Sequence, residues 1–331
     1  MKIALAIILV AVLQVEDNIE FNQAEQASAA YRFSIVGWEA GNLLDKWVYR
    51  FVELLSSHTN KATRHKALYE YLDLSHQIQN HRDEINVLAS HRSKGQSNSI
   101  TALEIEISRL KSRRESRRNE AEEMVEATVS AVLSELGLGS FGPLDYPPVD
   151  IRFDNPPKLV VTSPRTTIAR SDEALVVPGI PVGERESIEN DLFYKAGLSA
   201  IVTEIGGIAT YPAIIAPSSS LQGILRTTAH EWMHHYLVFH LKPVGLKAQK
   251  DPEMLTINET LANLVGREIG DLAYKRLGGV INPPSQSPSD MADTPYGKQF
   301  IFEPEMKETR LQVDLLLSNS RVQEAEAYMG E

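Results

Sequence analysis

The sequence predicts an α+β fold in which a long helical hairpin precedes a mixed domain. Three features carry that reading. Apolar residues recur at helical spacing from Lys61 to about Leu138, with one polar interruption, Ser93 to Ser99. Glycine and proline then crowd the stretch from Gly137 to Pro157, where a helix cannot continue cheaply. Beyond it, short β-prone runs alternate with helical ones. The chain is accordingly divided into a segment 1–30, a helical region 31–138 resembling a coiled-coil hairpin, and a domain 139–331.

The first segment carries Lys2 and an unbroken apolar run from Ile3 to Leu13. That pattern suits the charged and hydrophobic parts of a secretory signal and is too short for a membrane span, which takes about 20 residues. Ala27-Ser28-Ala29, the nearest small-residue cleavage site, lies far downstream, so an uncleaved anchor and a buried first helix stay open beside the signal. The expectation is an extracytoplasmic protein, secreted or associated with a membrane through residues 3–13.

From Tyr31 to Leu55, Phe33, Val36, Trp38, Leu44, Trp47, Phe51 and Leu55 recur at helical spacing, with Glu39, Asp45, Lys46 and Arg50 between them. This is an amphipathic helix whose charges belong to the solvent side. The two arms of the hairpin follow, read as two long antiparallel helices. The basic cluster from Lys111 to Arg118 is interleaved with Glu115, Glu120, Glu122 and Glu123, which makes it a solvated face. After the glycine-proline stretch, Lys158 to Thr162 and Ala174 to Val177 read as strands and Ser187 to Ala196 as a helix. Ile208 to Ile215 reads as a strand containing Pro212, hence an edge strand or a bulged one.

The formal charge is -11, with 44 acidic residues against 33 basic ones, so a nucleic-acid partner is not expected. Among 331 residues, 43% hydrophobic, there is no cysteine, which excludes disulfides, thiolate nucleophiles and cysteine-held zinc. A metal would have to be held by histidine and carboxylate.

Such a set is present. Leu221 to Leu241 is helical, with Ser218, Ser219 and Ser220 as candidate caps, and contains His230-Glu231-Trp232-Met233-His234. Residues four apart lie about 40° apart around a helix, so both imidazoles project from one face. Glu231 stands beside them, where it can take a proton from water acidified by a metal. After Pro243 and Gly245 a second helix is expected near Asn258-Glu259-Thr260-Leu261-Ala262-Asn263, and a returning helix would bring Glu259 to the open side of the metal. His235 points about 100° away from His234 and is assigned to packing. His240 is assigned to the helix end, and His58, His65, His76, His81 and His91 to the surface.

Through His230 to His234 and Asn258 to Asn263 the chain resembles the gluzincin metallopeptidases, whose second zinc helix opens with Asn-Glu. The resemblance implies a zincin-like catalytic domain behind the hairpin, zinc held by His230, His234 and Glu259, Glu231 as general base, and a peptide or protein substrate. It puts Asn263 at a position that is often acidic in that clan. It implies a tyrosine or histidine that stabilises the oxyanion, for which Tyr211 and Tyr296 are the candidates; Tyr274 is disfavoured, being 15 residues beyond Glu259. It also sets the segment Gly206 to Ala216 as the edge strand ahead of the zinc helix. The Gly-x-Met-Glu-Asn element of one aminopeptidase family is absent, the chain reading Gly206-Gly207-Ile208-Ala209-Thr210. Met306 to Arg310 and Glu324 to Met329 resemble the tail of predicted bacterial aminopeptidases. The reading set against the peptidase is a membrane-tethered protein that binds peptides without catalysis, or a helical scaffold.

Overall fold

The computed structural model describes residues 21–42, 46, 48, 60–90, 96–138, 140–141, 144–145, 147–241, 244–245, 251–281 and 302–330. The fold is mixed α+β, mostly helical with small sheets. In chain order its elements are α1 (Gln23–Ala27), α2 (Lys61–Ser90), α3 (Gln96–Glu115), α4 (Arg118–Glu135), β1 (Ser140–Phe141), β2 (Leu144–Asp145), β3 (Ile151–Phe153), β4 (Lys158–Pro164), β5 (Glu173–Val176), α5 (Val182–Ala196), β6 (Leu198–Thr203), β7 (Gly207–Ile208), β8 (Ala213–Ile215), α6 (Leu221–His240), α7 (Pro252–Arg276), α8 (Phe302–Ser318) and α9 (Val322–Met329). Packing groups them into two compact units, one from Ser34–Pro156 with Gly206–Ile281, the other from Met1–Phe33, Pro157–Ile205 and Asn282–Glu331. The helical hairpin and the helix carrying His230 therefore share one unit, across the sequence division at 138.

In the larger unit, the second arm of the expected hairpin is two helices, α3 and α4, separated by a turn at Ser116–Arg117. The two have different partners, which accounts for the break. Ile107 and Leu110 of α3 pack on Leu74 and Ile78 of α2, whereas Ala121, Met124, Val125, Val129, Val132 and Leu133 of α4 join the main core. That core also takes Leu68 and Tyr71 from α2, Ile151 and Phe153 from β3, Trp232 and Leu237 from α6, and Ala262 and Ile269 from α7. Glutamates partner the basic cluster, as in Arg117–Glu70 at 2.7 Å and Arg118–Glu115, but Glu122, expected on the solvated face, is buried against β3.

Residues 35–42, 46 and 48 are helical, but Glu39 and Lys46, expected toward solvent, are buried. Glu39 and Lys46 are each 3% exposed, while Val36 and Val48 are 38% and 62% exposed. The partners explain it. Lys46 Nζ meets Asp150 Oδ1 at 2.9 Å, Glu126 and the Ile151 carbonyl, all buried, and a buried carboxylate set without a cation would be prohibitively costly. Trp38 Nε1 donates to Asp154 Oδ2 at 2.9 Å, and Arg152 Nε donates to Asn42 Oδ1 at 3.1 Å.

The sheet of this unit runs β3-β8-β7, with β3 parallel and β7 antiparallel to β8. The strand expected from Ile208 to Ile215 is thus two strands, and Pro212, after a cis Tyr211–Pro212 bond, lies in the turn between them. Lacking an N–H, proline is tolerated in the turn and leaves β8 free to pair on both sides. The outer edge of β3 is closed by helix carboxylates one turn apart: Glu126 Oε1 accepts from Ile151 N at 2.7 Å and Glu122 Oε1 from Phe153 N at 2.8 Å.

The smaller unit is an antiparallel sheet in the order β5-β4-β6. Ile188 and Leu192 of α5 and Ala24 of α1 pack on its Val160, Ala174, Val176 and Val202. Helix α5 ends at Gly197, whose φ of +69° favours glycine. Strand β6 was not legible in the sequence. Arg165 of the β4–β5 connection holds Glu326 of α9 through two bonds of 2.6 and 2.7 Å. Arg310 pairs with Asp314 on its own helix at 2.7 Å. The apolar run 3–13 lies outside the described residues, and no described helix is long and apolar enough to cross a membrane.

Candidate metal centre

Helix α6 starts where Ser220, the last of the three candidate serines, accepts from Gly223 N at 3.1 Å. Helix α7 starts at Pro252, six residues ahead of Asn258 and earlier than expected, because Asp251 caps it by accepting from Glu253 N and Met254 N and proline is preorganised for the first helical position. Glu259 is therefore in the second turn, beyond the reach of a first-turn dipole effect.

The two helices are antiparallel neighbours and their register follows from small residues and one ion pair. A Cβ on Gly270 would fall 2.5 Å from Arg226 Cα, and one on Gly266 would fall 2.9 Å from both Arg226 O and His230 Cβ. Only glycine permits that approach. Arg226 grips Asp271 through bonds of 2.7 and 2.9 Å, and Gln222 reaches the same carboxylate at 2.9 Å. Continuing along α7 from this anchor, Asn263 and Ala262 come opposite His230, and Asn258 and Glu259 opposite His234.

The imidazoles face each other with Nε2 to Nε2 at 3.0 Å. Glu259 Oε2 lies 3.7 Å from His230 Nε2 and Glu259 Oε1 lies 3.7 Å from His234 Nε2. Tetrahedral zinc at about 2.05 Å from each ligand would separate its donors by about 3.3 Å, within the range of these spacings. Asn258 fixes the tautomer of His234. Its Nδ2 donates to the Val244 carbonyl at 3.3 Å, so its Oδ1, at 2.6 Å from His234 Nδ1, can only accept. The ring proton is thereby held on Nδ1 and the Nε2 lone pair is turned to the site. Ala262 and Asn263 of α7 lie beside His230. Asn258, quoted in the sequence motif without a role, holds the other histidine.

Glu231 is 5% exposed. Burial, and then the charge of Glu259, push its carboxyl up to about 8. One of its oxygens lies with one nitrogen of each histidine in a group whose donor atoms are all within 4.8 Å of one another. The site thus has a buried carboxylate on one side, a half-exposed one at Glu259 on the other, and imidazoles between them. His230 is held below its ordinary value by burial and by His234, against the pull of Glu259. His230, Glu231 and His234 form a group of donors that could hold a metal ion, with Glu259 3.7 Å from both imidazoles.

His235 is turned away and structural: burial lowers it to about 4, and the backbones of Ala209 and Thr210 lie beside it. Tyr211 is brought to α6 through this residue, its ring 5.9 Å from that of His235, and its N–H donates to Glu39 Oε1 at 2.9 Å. Tyr274 sits near the far end of the continuous α7, as disfavoured for the site, and Tyr296 lies outside the described residues. His240 stacks on Tyr236 at 4.2 Å in the last turn of α6.

No family model, no curated protein and no solved structure matches the chain.

Proposed function

We propose that this chain is a zinc-dependent peptidase of gluzincin type, with a zincin-like catalytic domain built around α6, α7 and the β3-β8-β7 sheet. The observation that carries the reading is the convergence of His230, His234 and Glu259, with Glu259 3.7 Å from each Nε2 and His234 held by Asn258 in the tautomer a metal needs. These three residues would hold the ion. When bound, zinc supplies Lewis acidity, which acidifies water and polarises a carbonyl. Glu231, beside His230 and within reach of the same space, takes the proton from the attacking water and passes it to the leaving amine nitrogen. Edge strand β7 offers main-chain groups to an extended peptide, a mode of binding tolerant of sequence. Tyr211 is the candidate for the oxyanion, and the run 3–13 suits a secreted or membrane-anchored peptidase.

The test is zinc per chain and hydrolysis of a mixed peptide library, measured on wild type, Glu231→Gln and His234→Ala. The reading expects one zinc in wild type and in Glu231→Gln, little in His234→Ala, and cleavage by wild type alone. Zinc without cleavage in the wild type would leave a peptide-binding protein. No zinc in any of the three, even after reconstitution, would leave a helical scaffold.

A further inference from the structure

Strand β7 lies on the face of α6 that carries Thr227 and Glu231, four residues apart. The contact is closest at Gly207. A Cβ at this position would stand 2.6 Å from Glu231 Oε1, 2.9 Å from Ile214 O and 3.0 Å from Thr227 Cγ2. The second of these is the backbone of the neighbouring strand and cannot withdraw far, whereas the first and third are side-chain atoms and the first is the end of a flexible carboxylate. Gly207 therefore fits as a glycine alone, and its Cα closes one side of the space holding the Glu231 carboxylate. Its backbone is extended and belongs to the ladder, paired with Ile215, so a turn requirement does not account for glycine here.

We propose that Gly207 is a positioning residue for Glu231, its bare Cα forming the wall that keeps the carboxylate turned toward the imidazole pair. The inference rests on the metallopeptidase reading for its consequence and on the packing of Gly207 against Glu231 for its cause. A methyl group at 207 displaces the carboxylate while leaving His230, His234 and Glu259 in place, since those are set by α6 and α7. The outcome is a protein that binds zinc and cleaves poorly. Misplacing a catalytic group by about 1 Å costs on the order of a hundredfold in rate.

The experiment uses the full chain with zinc and compares Gly207→Ala in two backgrounds, the native Glu231 and Glu231→Ala. Zinc per chain, kcat and KM on a mixed peptide library, and the thermal midpoint are measured. Expected are one zinc in Gly207→Ala, a kcat about a hundredfold lower with little change in KM, and a midpoint loss clearly larger with Glu231 present than in Glu231→Ala. Unchanged kcat, or equal midpoint losses in both backgrounds, including loss of the fold in both, overturns the role of Gly207. A wild type without zinc or hydrolysis overturns the metallopeptidase reading instead, and the difference in midpoint losses still reports whether Gly207 packs against Glu231.

Discussion

Asn258 ties His234 to the chain just beyond its helix: its Oδ1 accepts from His234 Nδ1 at 2.6 Å and its Nδ2 donates to Val244 O at 3.3 Å. Loss of such an orienting partner weakens metal binding by about 10- to 100-fold. Asn258→Ala should therefore lower zinc affinity by about that factor in a competition titration against a chelator. Asn258→Asp, which can still accept from Nδ1, should retain most of it, and equal affinities for Ala and Asp would show that the bond does not orient His234.

The approach of α7 to α6 depends on Gly266 and Gly270, where a Cβ would meet backbone atoms of Arg226. Overpacking of this kind costs about 1–3 kcal/mol when the surroundings can shift. Gly270→Val should lower stability by at least about that much, read by chemical unfolding, and should also reduce zinc content by displacing Glu259 from the histidines. Stability lost with full zinc retained would mean that the register is held by the Arg226–Asp271 pair alone.

Lys46 lies in a buried cluster with Glu122, Glu126 and Asp150, in which Arg152 is a second buried cation on Glu122. Removing one partner of a buried ion pair costs about 3–5 kcal/mol, because the remaining charge has no solvent. Lys46→Met should therefore unfold the larger unit at much lower denaturant than wild type, and the loss should shrink in Lys46→Met/Glu126→Gln. A small loss in the single variant would place water in that cluster.

Glu39 is held above the ordinary carboxylate range by burial, partly offset by the N–H of Tyr211. The folded chain consequently binds more protons there than the unfolded chain. This group's contribution to stability is full below the ordinary glutamate value and is lost as pH rises through the raised folded value. Glu39→Gln keeps an oxygen acceptor for Tyr211 N and removes the ionisation. Its stability relative to wild type should rise as pH goes from acidic to neutral, measured by thermal unfolding across that window; a pH-independent difference would show that Glu39 does not titrate there.

The residues of the candidate centre were legible because their signal is local. His230 and His234 share a face through helical periodicity alone, and Glu259 follows an Asn at the head of the second motif. Much of the alternation of helix and strand was legible for the same reason, apart from β1, β2, β3 and β6, the break between α3 and α4, and the split of the strand around Pro212. What the tertiary structure decided depends on atoms far apart in sequence. Glycines at 266 and 270 and the Arg226–Asp271 pair set how closely α7 lies on α6, and hence that Glu259 meets both imidazoles. Carboxylates on α4 and beside β3 turned Lys46 inward, where helical spacing alone had put it toward the solvent. Periodicity reports which residues share a face, whereas only the partner across the interface determines which face is buried.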